Sequence, residues 1–254
     1  MKSIKPAARK RGRIVSLLLL SLLFLTSWCV RAAHADGVKA TIKNGQTIKG
    51  ALTGKGSDTY TFKITGGSSF FVSVAETGPH DDTFVPGITL TAPDGDTRGR
   101  WAPLFTLLKK QNAVEGTWSV KIDQAGRGTV SGNYALTLVQ VPGAVPATGG
   151  ITVGALSSGV DQRGTNSRGK IDVWTFNGVA GHTATLTLNK TGGEGFAPEV
   201  ALVSPTGNIL GGASCDSCSQ DFSLTAAGVY TVVAWKSDEH DVTGTYTLSV
   251  SDKN

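Results

Sequence analysis

The sequence predicts an all-β protein in which one structural unit is repeated. Three observations point there. Helix signals are nearly absent, and short runs of alternating Thr, Val, Leu and aromatic residues recur about every 8–12 residues between Gly, Pro, Asn and Asp, the pattern of a β-sandwich or barrel. The whole pattern then occurs a second time along the chain.

The first segment is read as an export signal. Lys2, Lys5, Arg9, Lys10, Arg11 and Arg13 precede an apolar run over residues 14–30, and Ala33-His34-Ala35 supplies a small-x-small cleavage motif. Cleavage is expected after Ala35, leaving a secreted or periplasmic chain. The run is short for a membrane anchor, and Trp28 stands where a lipoprotein signal needs a small residue before Cys29. Seven of the 24 Lys and Arg lie within residues 1–35 and none of the 19 acids does, so the remainder has a balance of 17 − 19 = −2. The basic character belongs to the leader, and nucleic acid is not expected as a partner.

Within the remainder, Tyr60-Thr61-Phe62-Lys63-Ile64, Trp118-Ser119-Val120-Lys121-Ile122, Tyr134-Ala135-Leu136-Thr137-Leu138 and Tyr246-Thr247-Leu248-Ser249-Val250 alternate with period two. One face is expected to pack inward and the other, mostly Thr, Ser and Lys, to meet water. The stretch beginning Phe84-Val85-Pro86 matches the one beginning Phe196-Ala197-Pro198 at an offset of 112 (196 − 84). The same offset maps Gly116-Thr117-Trp118 onto Gly228-Val229-Tyr230, and Gly132-Asn133-Tyr134 onto Gly244-Thr245-Tyr246. Upstream, Asp58-Thr59-Tyr60 pairs with Asp172-Val173-Trp174 at an offset of 114 (172 − 58). The expected organisation is a signal over 1–35, a β-sandwich over 36–141, a Pro/Gly linker over 142–150 and a second β-sandwich over 151–254.

The ordered elements resemble the bacterial pre-peptidase C-terminal domain. In the first copy they are Gly45 and Gly50, Asp58-Tyr60-Phe62, Gly66-Gly67, Leu90-Pro93-Gly95, Gly116-Trp118-Val120 and Gly132-Tyr134-Leu136. The second copy has Gly154 and Gly159, Asp172-Trp174-Phe176, Ala180-Gly181, Leu202-Pro205-Gly207, Gly228-Tyr230-Val232 and Gly244-Tyr246-Leu248. The resemblance implies two tandem jelly-roll-like sandwiches, non-catalytic, of a kind that usually trails an exported peptidase and in some members binds calcium or an extracellular polymer such as collagen. No peptidase domain precedes the repeats here, so the modules are expected to act by themselves.

Candidate sites are few. Cys215-Asp216-Ser217-Cys218 reads first as a disulfide loop; a redox or metal role lacks the helical context or the further ligands it needs. No Gly-x-Ser-x-Gly elbow occurs, and no catalytic residue is nominated. His80-Asp81-Asp82 and Asp238-Glu239-His240-Asp241 set histidine beside carboxylates in loops, the donors a metal requires, although acidic loops also serve solubility. His182, after Gly181 in a turn, reads as a surface histidine. Calcium-binding relatives would use the region of Asp58 and Asp172, but few acids adjoin either residue, so a capping or turn role is expected there. Tyr60, Trp118, Trp174 and Tyr230 occupy equivalent strand positions and are expected in the cores. Trp101, flanked by Arg98 and Arg100, and Trp235 break the equivalence and are nominated as ligand contacts. The expected activity is binding, to an extracellular or envelope polymer or to an exported protein. An envelope assembly subunit and a small hydrolase are the alternatives.

Overall fold

The computed structural model describes residues 39–78, 83–101, 105–125, 130–237 and 242–253. The expected leader, His80-Asp81-Asp82 and the Asp238–Asp241 cluster lie outside the described residues, among which no helix is long and apolar enough to cross a membrane.

The first copy contributes β1 (Lys39–Thr41), β2 (Gln46–Leu52), β3 (Ser57–Ile64), β4 (Ser69–Thr77), β5 (Pro86–Thr91), β6 (Thr97–Trp101), β7 (Phe105–Lys110), β8 (Gly116–Gln124) and β9 (Gly132–Val141). They form a five-stranded sheet in the order β1-β3-β8-β5-β6 and a four-stranded sheet in the order β2-β9-β4-β7. The second copy contributes β10 (Thr152–Ala155), β11 (Gln162–Asn166), β12 (Ile171–Gly178), β13 (Thr183–Gly192), β14 (Pro198–Val203), β15 (Ile209–Ser214), β16 (Ser217–Ser223), β17 (Gly228–Lys236) and β18 (Gly244–Lys253). Its sheets run β10-β12-β17-β14-β15 and β11-β18-β13-β16, the same order strand for strand. The single parallel pairing of each five-stranded sheet, β1 with β3 and β10 with β12, is also repeated.

Inside each sandwich the period-two residues meet. Tyr60, Phe62, Trp118, Val120, Leu136 and Leu138 line the first core, and Trp174, Tyr230, Val232, Tyr246 and Leu248 the second. The repeated glycines are spacers for this packing. Tyr134 lies over Gly50 and Tyr246 over Gly164, where a Cβ would sit 2.3 and 2.1 Å from the ring. Gly50 therefore corresponds to Gly164 at the 114 offset, and not to the Gly154–Gly159 spacing on which the sequence comparison paired it. Gly154 stands in β10, the counterpart of β1.

The outward faces differ from expectation. A third cluster joins the sandwiches: Phe71, Val139 and Val141 of the first four-stranded sheet pack against Ile171, Val173, Ala201, Val203, Val233 and Trp235 of the second five-stranded sheet. Four sheets are thus stacked, the two inner ones buried on both faces, and β4 is buried from Ser69 through Glu76. The linker takes part, with Val145 and Ile151 tucked into the cluster. Polar contacts edge it. Ser73 Oγ donates to the Gly169 carbonyl at 3.1 Å, Ser69 Oγ to that of Gly207 at 2.5 Å, and Arg168 bonds Glu76 at 3.3 Å. Burial of one Val, Leu, Ile or Phe contributes about 1.5–3 kcal/mol, whereas the buried Arg168–Glu76 pair must first offset the desolvation of both its charges, so apolar packing governs this seam.

The seam joins unlike faces. Ala201, Val203, Val233 and Trp235 correspond, 112 residues back, to Thr89, Thr91, Lys121 and Asp123 on the free face of the first five-stranded sheet. Val139 and Val141 correspond to Ser251 and Lys253 on the free face of the last sheet.

Candidate functional site

Each carboxylate placed identically in the two copies sits inside a sandwich. Asp58 and Asp172 are second residues of β3 and β12, and both are 0% exposed. The Tyr134 hydroxyl donates to Asp58 Oδ2, and the Tyr60 and Tyr134 hydroxyls are 2.7 Å apart. In the second copy the Tyr246 hydroxyl donates to Asp172 Oδ2 at 2.8 Å and accepts from Trp174 Nε1 at 3.0 Å. Lys170 Nζ lies 3.0 Å from Asp172 Oδ1. The expected capping or turn role is corrected: the side chains point inward because alternate β3 and β12 residues face the core, and a tyrosine from the opposite sheet meets them.

Burial, followed by the bond to Asp58, pushes the Tyr134 phenol far above its ordinary range. Burial also raises Tyr246, reinforced by the Asp172 charge. Tyr60 is raised by burial as well, against the lowering effect of its bond to Tyr134. These carboxylates do not fit a calcium site. Calcium takes 6–8 oxygen ligands, whereas Asp58 lies among aromatic rings and an ammonium already faces Asp172. Among the described residues no three His, Cys, Asp or Glu gather as a metal cluster.

The nominated contact residues separate. Trp235 is 4% exposed and belongs to the seam, 5.9 Å from the Phe71 ring and beneath Lys109 Nζ at 5.2 Å, so it is no surface contact. Its mismatch with Asp123 marks the apolar face that the second copy turns toward the first. Arg98, Arg100 and Trp101 lie in β6, at the edge of the first five-stranded sheet. Arg98 pairs with Asp96 at 3.6 Å. Burial raises the Glu199 carboxyl, against the lowering effects of Lys109, a bond from Trp235 and the charge of Arg100. The backbone of Trp101 pairs with Gly87. His182 Nδ1 lies 2.9 Å from Asp252 on a partly exposed edge. Cys215 and Cys218 are bonded at the turn joining β15 to β16.

A groove of about 320 Å³ opens at one end of the first sandwich. Its floor holds Ile42 and Phe62, and Thr41, Thr61 and Thr117 line it from β1, β3 and β8. Lys43 and Lys63 stand exposed on its wall, with Asn44 and Gln140 between the sheets. Asn44 ties the wall to β9: its Oδ1 accepts from the Gln140 amide at 2.8 Å and its Nδ2 donates to the Gln140 and Ala144 carbonyls. Gln140 Nε2 donates to the Lys63 carbonyl at 3.1 Å. No carboxylate lines the groove, and among the described residues neither lysine has an ion-pair partner. The groove carries no local sequence signal: Lys43 follows the end of β1 and Lys63 lies in β3, and the parallel pairing of those two strands brings them to one wall.

No protein-family model matches the chain, and no curated protein does. Among solved structures, the chain is similar to the pre-peptidase C-terminal domain of a Bacillus anthracis collagenase, at 18% identity and a TM-score of 0.32, over 41% of this chain and 97% of that one. It is also similar to PliG of Aeromonas hydrophila, a periplasmic inhibitor of g-type lysozyme, at 14% identity and 0.33, over 42% and 100%. A tandem CBM22 domain of Paenibacillus barcinonensis Xyn10C matches at 10% identity and 0.22, over 75% and 82%. At these scores the likenesses assign no function.

Proposed function

We propose that the chain is an exported, non-catalytic binding protein whose fused sandwiches, resembling pre-peptidase C-terminal modules, hold an extracellular or envelope polymer or a partner protein. The groove at the end of the first sandwich carries the reading. It is concave, ligand-sized and lined by two lysines that have no ion-pair partner among the described residues. The linker supports it, because Asn44 of the groove wall donates to the Ala144 carbonyl while the adjoining Val145 packs in the seam, and a wall fixed in this way lowers the cost of binding. Calcium is not needed at Asp58 or Asp172.

Co-sedimentation of the purified chain with insoluble extracellular and envelope polymer, with and without calcium, tests the proposal. The expected result is a pelleted fraction that chelation leaves unchanged. A chain that stays in the supernatant with every fraction would remove polymer binding from consideration.

A further inference from the structure

We infer that the groove is a site for an acidic polysaccharide, one whose sugar units carry carboxylates, as uronic acids do. The inference rests on the binding reading above and supplies its ligand class.

Charge comes first. Lys43 reaches the groove from the turn after β1 and Lys63 from β3, neither has an acidic partner among the described residues, and no carboxylate lines the cavity. A bound anion therefore meets positive charge without displacing an internal ion pair. Lysine also suits a carboxylate that approaches from varied directions, because its ammonium is a compact point charge with three rotatable donors.

The remaining donors and acceptors select the rest of the ligand. Thr41, Thr61 and Thr117 line the groove; the Thr41 and Thr61 hydroxyls bond each other at 3.4 Å, which leaves acceptor capacity on both and one donor between them, and the Thr117 hydroxyl can donate and accept. Gln140 commits its Nε2 to the Lys63 carbonyl, so its amide oxygen is the part left to accept from a ligand. An array of hydroxyls with one amide acceptor matches a polyol better than a peptide side chain. The apolar side chains of the lining are deeply buried, Phe62 being 1% exposed, so the groove offers no aromatic anchor of the kind protein interfaces favour. Nor can Phe62 serve as a stacking platform for a sugar ring. Recognition at this site is consequently electrostatic and hydrogen-bonded, and it weakens as salt is added.

The test is affinity electrophoresis of the full chain in gels containing polygalacturonate, dextran or poly-L-glutamate. Polygalacturonate should retard migration, the other two should not, and added salt should relieve the retardation. In K43Q/K63Q the affinity for polygalacturonate should fall roughly 10-fold or more, the order expected for losing two charge-assisted bonds. K43R/K63R keeps the charge and should retain most of the binding, which separates loss of charge from loss of fold. Equal retardation by poly-L-glutamate would mean that the groove reads charge alone and would overturn the saccharide assignment. Undiminished binding by K43Q/K63Q would place the polymer elsewhere on the protein. If polygalacturonate has no effect while co-sedimentation with envelope polymer persists, this ligand class fails and polymer binding stands; if both fail, polymer binding fails with it.

Discussion

At the scale of single residues, the two copies preserve a buried carboxylate and a tyrosine from the facing sheet while changing what completes the network. Tyr60 meets Tyr134 in the first sandwich, and Trp174 donates to Tyr246 in the second. The phenols of Tyr60, Tyr134 and Tyr246 ionise less readily in the folded protein than in the unfolded chain, chiefly because burial disfavours phenolate. A folded-state pKa above the unfolded value of about 10 contributes stability that is complete below pH 10 and is lost as pH rises further. Unfolding free energy should therefore hold steady up to about pH 10 and fall above it, and absorbance of phenolate from these three tyrosines should appear only with unfolding. Phenolate from all four tyrosines in a chain whose circular dichroism remains native would contradict these networks.

At the scale of strands and turns, close approach is what the glycines provide. A Cβ on Gly132 would lie 2.1 Å from the Phe84 ring, and one on Gly244 would lie 1.9 Å from that of Phe196. Gly132→Ala should cost about 1–3 kcal/mol by overpacking, read from urea midpoints, and Phe84→Leu in the same chain should recover part of the loss. An unchanged midpoint for Gly132→Ala would show that the ring moves aside freely. Much of this scale was legible. Alternation in β3 and β8 gave strands with one buried face, and the offsets of 112 and 114 fixed the correspondence of strands. The seam left a trace that was not read. Phe70-Phe71-Val72 in β4 and Val232-Val233-Ala234-Trp235 in β17 are unbroken apolar runs, the mark of strands covered on both sides. The runs say that a second cover exists but not which face supplies it, since that pairing is remote in sequence. The groove was hidden for the same reason: Lys43, just past β1, and Lys63 in β3 come together through the pairing of those two strands. Trp235 did signal its difference from Asp123, but an unmatched aromatic suits an internal interface as well as an external one.

For the whole molecule, the seam decides whether the sandwiches unfold together. Removing a buried Trp typically costs about 3–5 kcal/mol, and Trp235 contacts the first sandwich directly through Phe71 and Lys109. Trp235→Ala should split a single calorimetric transition into two, one for each sandwich. A single transition at the parent temperature would mean that the coupling lies elsewhere. The seam also bears on copy number. A four-stranded face packed on a five-stranded one leaves one face of each kind at the two ends, so the same join could in principle recur from molecule to molecule as an open filament. Thr89, Thr91, Lys121 and Asp123 at one end, with Ser251 and Lys253 at the other, stand where the join has Ala, Val and Trp. These side chains act as terminators. The same join could recur at either end only if one of those faces were first made apolar.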